Sequence, residues 1–267
     1  MITTHTAAPG IDVLTSQIPI PGLGTVPVNA FVLHGDEPLL VDTGALAMRD
    51  EFLAALRTVT DPVGLRWIWL THPDFDHIGS LHALIEDNPG LRVITTFLGV
   101  GMLSTFRPLP MDQVYLVNPG QQVTIGGRVL TAVKPPAFDN PATTGFVEHS
   151  SRTLFSSDCF GALLQDLPEQ ALDLSAGELT DGQVLWATID SPWLHKVDRA
   201  TFTADLDRVR AIEPSMILSS HLPPAPGSMI GQLLGSLAAV PGAAPFTGPD
   251  QAAFQAMFTQ LTGPAAA

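Results

Sequence analysis

Six consecutive positions constrain this chain more than any others: His72-Pro73-Asp74-Phe75-Asp76-His77. They follow directly on the uninterrupted apolar run Trp67-Ile68-Trp69-Leu70. Such a run without alternation reads as a strand buried on both faces. Pro73 argues against a helix at this point. In an extended segment alternate side chains point to one side. His72, Asp74 and Asp76 therefore converge on one cleft, and His77 follows at the turn. A single His or Asp after a strand is ordinarily a satisfied polar group or a cap. Carboxylates crowded together with imidazoles at the end of a buried strand are different, because like charges repel and a cation is the simplest remedy. The cluster predicts a metal site.

The donors of that site are limited by composition. Cys159 is the single cysteine, which excludes an intrachain disulfide and a Cys-cluster zinc site. Histidines and carboxylates must do the work. Three further candidates stand at the ends of predicted strands: Asp139, Asp158 and His221. A net charge of −14, from 12 Lys+Arg against 26 Asp+Glu, argues against nucleic acid as a partner, since binding phosphates needs basic surface. No stretch approaches the roughly 20 apolar residues of a membrane span. The opening Met1-Ile2-Thr3-Thr4-His5 has no basic segment followed by an apolar one, so no secretory signal is read and a cytoplasmic protein is expected.

The 267 residues allow one large domain or two small ones, and 23 Gly with 24 Pro imply short elements joined by turns. Residues 11–45 read as strands, among them Asn29–Leu33 and Pro38–Asp42. Phe52, Leu53, Leu56 and Val59 recur at helical spacing. A helix is expected from Ile78 to Asp87, stopped by Asn88-Pro89-Gly90. Leu91–Phe97 reads as a strand and Gln122–Val133 as a hairpin around Gly126-Gly127. Phe146-Val147 pairs with Arg152–Phe155, a helix follows over Asp198–Ile212, and Met216–Leu218 is a short strand. Residues 1–222 are expected to form the main domain. Residues 223–267, rich in Pro, Ala and Gly, read as an extension with helical patches at 229–239 and 250–261. These patches pack on the same domain or form a homodimer contact.

The segment Thr71-His72-Pro73-Asp74-Phe75-Asp76-His77-Ile78-Gly79 resembles the H-x-H-x-D-H-x-G signature of the metallo-β-lactamase superfamily, with Asp74 in place of the second His. Leu40-Val41-Asp42-Thr43-Gly44 is similar to its early D-T-G strand. Leu154-Phe155-Ser156-Ser157-Asp158 is similar to the strand supplying its bridging Asp, and Ser219-Ser220-His221 to its last ligand strand. The resemblance spans Val28 to His221 and implies an α/β fold, the four-layer αβ/βα sandwich. A carboxylate at position 74 resembles the flavodiiron, oxygen-binding di-iron branch, which carries Glu there. No flavodoxin-like domain is expected to follow. Where the branch has a third His, this chain offers Asp139, whereas His149 lies too near Asp158. The resemblance assigns His72, Asp74 and Asp139 to one metal, Asp76, His77 and His221 to the other, and Asp158 to both. Asp42 would support a bound His from behind.

Two metal ions are implied, with iron favoured by the oxygen-rich donor set and zinc or manganese as alternatives. The resemblance implies chemistry on O2, NO or a small oxidisable molecule, with electrons from a separate donor. Hydrolysis of a small ester, lactone, thioester or phosphoester by a metal-bound hydroxide is the competing reaction. In it Asp76 orients the water. A decayed site in a binding protein is a third reading, disfavoured because every replacement keeps a metal-capable side chain. Trp186, Asp190, Trp193 and His195 read as ordinary packing, or as a pocket wall with His195 as proton donor. Phe75, between two ligands, would shield one side of the site.

Overall fold

The computed structural model describes residues 2–262, with side chains as far as Met257. Its first sheet has seven strands in chain order: β1 (Ile2–Ala8), β2 (Ile11–Ile20), β3 (Gly24–Leu33), β4 (Leu39–Val41), β5 (Trp67–Trp69), β6 (Arg92–Thr95) and β7 (Val114–Leu116). Pairing is antiparallel up to β4 and parallel from β4 to β7. The second sheet joins β8 (Gln122–Ile125), β9 (Arg128–Val133), β10 (Gly145–Glu148), β11 (Thr153–Phe155), β12 (Met216–Leu218) and β13 (Ala225–Pro226). Only β11 and β12 run parallel there. The helices are α1 (Arg49–Val59), α2 (Leu81–Asp87), α3 (Phe97–Phe106), α4 (Ala176–Asp190), α5 (Arg199–Arg210), α6 (Ile230–Ala239) and α7 (Gln251–Thr262).

Strand periodicity sorts the apolar side chains into layers. Val41, Trp67, Trp69 and Ile94 of the first sheet face Leu130, Phe146, Phe155 and Leu218 of the second, forming a core between the sheets. Rings dominate it: Phe146 stacks on Phe155 at 4.3 Å and lies 4.4 Å from Trp69. The outward residues Leu40, Ile68 and Val93 pack on Phe52 and Leu56 of α1, Leu81 and Leu84 of α2, and Leu103 of α3. On the far side Val147, Leu154 and Ile217 pack on Leu179 and Ala187 of α4, Phe202 and Leu206 of α5, and Leu233 and Leu237 of α6. The result is helices, sheet, sheet, helices: the expected four-layer α/β sandwich. Beyond Pro223, β13 adds an edge to the second sheet and α6 enters its outer core. Residues 263–267 of the expected extension lie outside the described residues.

Strands β1 and β7 were not among the expected elements, and three helices also depart from the sequence expectation. The helix expected from Ile78 begins at Leu81, because residues 78–80 are spent in turns that hydrogen-bond to Gly44 and Thr43. Phe97–Met102 belongs to α3, capped by Thr96, whose hydroxyl accepts from Gly99 N–H at 3.1 Å. Its two glycines weaken the helical signal. The whole of α4 was absent from the expected elements. It starts with a capping signature, Ser175 accepting from Glu178 N–H at 3.2 Å. Gly177, Asp181 and Gly182 dilute its pattern, although Gly182 is there because a Cβ would overlap the Leu163 backbone.

The turn between β10 and β11 aims the strand that leads to Asp158, and buried Glu148 organises it. Its carboxylate accepts from Ser150 N–H at 3.0 Å, Ser150 Oγ at 2.6 Å, Ser151 N–H at 2.8 Å and the Ser151 hydroxyl. Burial works to raise its pKa, but the hydrogen bonds from Ser150 and Ser151 prevail and hold it below the usual glutamate range. A depressed folded pKa means stability that is present above the unfolded value and lost as pH falls through the folded one. Glu148→Gln is expected to cost about 1.5–3 kcal/mol near neutrality, the range for hydrogen bonds to a charged group. The gap between variant and parent should shrink as denaturation curves are repeated into the acid range. A gap independent of pH would show that the charge is not what holds the turn.

Candidate metal centre

Parallel strands present their carboxyl ends, and the loops after them, at one rim of a sheet. Here two parallel pairs do so. β4 and β5 deliver Asp42-Thr43-Gly44 and Thr71–Gly79, while β11 and β12 deliver Ser156-Ser157-Asp158 and Ser219-Ser220-His221. The rims are tied together. Asn29 of β3 donates from its backbone to Ser220 O at 2.8 Å and from its side chain to Ser219 O and Leu222 O. Trp69 Nε1 and Thr71 O bond to Thr144 of the second sheet at 3.3 and 2.9 Å.

The first two loops are zipped by backbone bonds. Thr43 N–H donates to His77 O at 2.7 Å and Gly79 N–H to Gly44 O at 2.8 Å. At Gly79 a Cβ would overlap the backbone of Gly44 and Ala45, so the approach requires glycine. Asp42 sits at the centre in the left-handed region, φ +57°. Its buried carboxylate accepts from Thr71 N–H and Thr71 Oγ1, both at 2.8 Å, and from His77 Nδ1 at 2.9 Å. A carboxylate only accepts, so His77 carries its proton on Nδ1 and turns the Nε2 lone pair into the cleft. The Thr71 hydroxyl spends its one proton on Asp42 and so accepts from His72 Nδ1, 3.1 Å away. His221 Nδ1 donates to Pro27 O at 2.9 Å. All three imidazoles are thus aimed Nε2-first at one space.

In that space stand the carboxylates. Asp158 Oδ2 lies 3.2 Å from His72 Nε2, and its Oδ1 lies 3.3 Å from Nε2 of both His77 and His221. Asp74 and Asp139 each come to 3.7 Å from His72 Nε2. Asp76 lies 3.5 Å from His77 Nε2 and 3.4 Å from His221 Nε2. The seven residues singled out in the sequence are therefore brought together, in the groupings His72–Asp74–Asp139, Asp76–His77–His221 and His72–His77–Asp158. Nε2 of His72 and of His77 is buried without a hydrogen-bond partner. Orphaned buried nitrogens facing carboxylate oxygens fit a cation between them. Without one, the electrostatics are strained. Burial alone would lower the pKa of each histidine, yet Asp158 and its neighbours raise all three, His221 to about 9. Burial likewise works against the ionised Asp158, but His72, His77 and His221 hold its carboxyl well below the usual range.

Asn140, Ser157 and Lys134 support this arrangement without a sequence signal of their own, and Trp186 and Trp193, read from the sequence as packing or a pocket wall, join them. Asn140 donates from Nδ2 to Asp74 Oδ1 at 2.7 Å. Ser157 Oγ lies 3.3 Å from His72 Nδ1. Lys134 Nζ donates to Pro141 O and Thr143 O at 3.1 and 3.0 Å and sits 3.7 Å over the Phe138 ring, clamping the loop that carries Asp139. Trp193 Nε1 donates to Phe138 O at 2.7 Å, and Trp186 lies 4.6 Å from the His221 ring. His195 belongs to none of the groups of candidate ligands among the described residues. His149 bonds Thr131 Oγ1 in an exposed turn. Phe75 is exposed, packs edge-on to Phe106 at 5.9 Å, and borders a cavity of about 510 Å³ that opens beside Asp74 and Asp76.

Two packed sheets that deliver His and Asp to a shared rim define a metallo-β-lactamase-type fold. The model of the ODP family beta lactamase matches residues 26–221, and the chain belongs to that family. Over 133 residues it is 28% identical to a nitric oxide reductase of Moorella thermoacetica, a match covering 50% of this chain and 33% of that protein. Rubredoxin oxygen:oxidoreductase from Desulfovibrio gigas shares the fold with a TM-score of 0.77 at 19% identity, covering 88% of this chain and 61% of that one. The flavodiiron protein from Giardia intestinalis gives 0.76 at 17% identity, covering 90% and 60%. The chain therefore spans less than two thirds of each of these relatives. No helix among the described residues is long and apolar enough to cross a membrane.

Asp42→Asn tests the supporting network. Asn tolerates the left-handed backbone, so the strain stays constant. One acceptor oxygen becomes an amide that faces the donors of Thr71 or His77. Loss of a buried acceptor should cost about 1–3 kcal/mol in denaturant melts. An unchanged melting curve would mean that the loops are held by their backbone bonds alone.

Proposed function

We propose that this chain holds two irons in its rim cluster and acts on O2 or NO, taking electrons from a separate donor. The observation that carries the reading is the placement of Asp158, one oxygen toward His72 and the other toward His77 and His221. That is the geometry of a carboxylate shared by two ions. In this reading His72, Asp74 and Asp139 hold one metal, Asp76, His77 and His221 hold the other, and Asp158 belongs to both. Three neutral imidazoles and four carboxylates carry four negative charges, which two divalent ions balance. Four oxygen-donor residues favour iron or manganese over the nitrogen-rich sites typical of zinc. The relatives named for nitric oxide reduction and for rubredoxin oxygen:oxidoreductase activity support iron and a diatomic substrate.

Irons bound there would supply the coordination positions and the change of oxidation state through which electrons from the separate donor reach a diatomic gas. The chain's own residues do the rest. Asp42 and Pro27 fix the orientation of His77 and His221, and Asn140 fixes Asp74. Trp186 packs on the His221 ring, and a cavity opens beside Asp74 and Asp76. A cytoplasmic setting, where reduced electron carriers circulate, suits such a site and the buried free thiol of Cys159.

Elemental analysis after anaerobic purification is expected to find two irons per chain, with an absorption change on exposure to O2. Two zincs and a silent spectrum would sink the redox reading and put metal-hydroxide hydrolysis in its place. Asp158→Ala is expected to weaken retention of both ions, and Asp139→Ala that of one. Each effect should be at least the roughly 10–100-fold loss of affinity that accompanies damage even to residues behind the ligands.

A further inference from the structure

One carboxylate at the rim has no place in the seven-residue set. Asp190 is the last residue of α4, and one of its oxygens lies within 4.8 Å of ligand atoms on both Asp139 and Asp158. Three features make it an uncomfortable anion. It is partly withdrawn from water and stands beside the carboxylates of Asp139 and Asp158. It also sits at the negative end of a 15-residue helix, where a cation, not an anion, is favoured. Among the described residues one side-chain hydrogen bond reaches it, from Ser191 Oγ to Oδ2 at 2.9 Å, which leaves Oδ1 free.

An acidic cluster alone would carry little. Here a second observation points into it: His72 Nε2, buried and unpartnered, is 3.2 Å from Asp158 Oδ2 and 3.7 Å from Asp139 Oδ1. These are the two carboxylates that Asp190 also approaches, with ligand atoms within 4.8 Å of one another. A cation held by the Asp139 and Asp158 oxygens comes within reach of the Asp190 carboxylate beside them. Hard divalent ions accept more than four oxygen donors, unlike a closed tetrahedral zinc site.

We propose that Asp190 is an additional carboxylate ligand of the metal held by His72, Asp74 and Asp139. This rests on the dinuclear reading and deepens it. The first metal then meets one nitrogen and four carboxylates, the second two histidines and two carboxylates. The two ions are inequivalent: the first is the more oxygen-rich, and the one negative charge left over when five carboxylates face two divalent ions sits on its side. α4, through its last residue, becomes part of the metal centre.

The test is a comparison of wild type, Asp190→Asn, Asp190→Glu and the exposed control Asp173→Asn, all as full chains. Each is loaded anaerobically with ferrous iron, titrated against a chelator of known affinity, and melted in parallel. The expected result is wild-type binding of two irons, and Asp190→Asn holding one of them at least about tenfold more weakly. The other iron is unchanged, Asp190→Glu recovers part of the loss, and Asp173→Asn behaves as wild type. Affinity for both irons unchanged from wild type in Asp190→Asn would overturn the assignment and make Asp190 a wall residue of the site. So would equal weakening of both irons accompanied by a lower melting temperature, which marks a structural role. Absence of metal from the wild-type protein is a separate outcome, and it removes the dinuclear reading itself.

Discussion

The carboxylate of Asp42 is the interaction on which the site depends. It stands between the ends of two parallel strands, in a backbone conformation that costs energy, and accepts from Thr71 N–H, Thr71 Oγ1 and His77 Nδ1. Strained residues of this kind persist only where their surroundings over-determine them. The surroundings here are the backbone bonds between the D-T-G turn and the ligand loop, and the absent Cβ of Gly79 that lets them form. In return Asp42 fixes which nitrogen of His77 is protonated, and through Thr71 it fixes His72. Two metal-facing lone pairs are set by one residue that touches no metal position.

The second sheet supplies the complementary half by the same device. β11 and β12 are the only parallel pair in it, and Asp158 and His221 follow their carboxyl ends. The aromatic core between the sheets sets the spacing of the two rims. Asn29 and Thr144 lock them at the rim itself. A cluster of buried histidines and carboxylates cannot organise itself, because its like charges repel. The packed sheets hold it in place, and a cation makes it favourable.

The ODP family beta lactamase match and the flavodiiron and rubredoxin oxygen:oxidoreductase structures agree on the fold. This chain differs from the branch it resembles at two of the candidate ligand positions. Asp occupies positions 74 and 139, where the flavodiiron branch it resembles carries Glu and His. A shorter carboxylate at 74 needs help to reach, and Asn140 on the neighbouring loop gives it a fixed orientation. The loop of Asp139 is clamped by Lys134 and Trp193, which shield the negative carbonyls and carboxylate with a cation and an indole N–H.

The sequence by itself determined most strands around the site and singled out the seven residues that converge there. Each of those facts is local. An apolar run followed by His and Asp at alternate positions is visible in a window of ten residues, and turn residues punctuate it. Boundaries that depend on partners were less legible. Residues 78–80 look helical alone but are drawn into bonds with a loop more than thirty residues away. α4 was hidden by Gly177 and Gly182, one of which serves contact with Leu163 rather than helix formation. Only the tertiary structure decided how Asp190, Asn140, Lys134 and Trp186 meet the cluster. No periodicity records a meeting between a helix end, a loop and a strand rim. It follows from the distance between two sheets, which the side chains of the whole core set together.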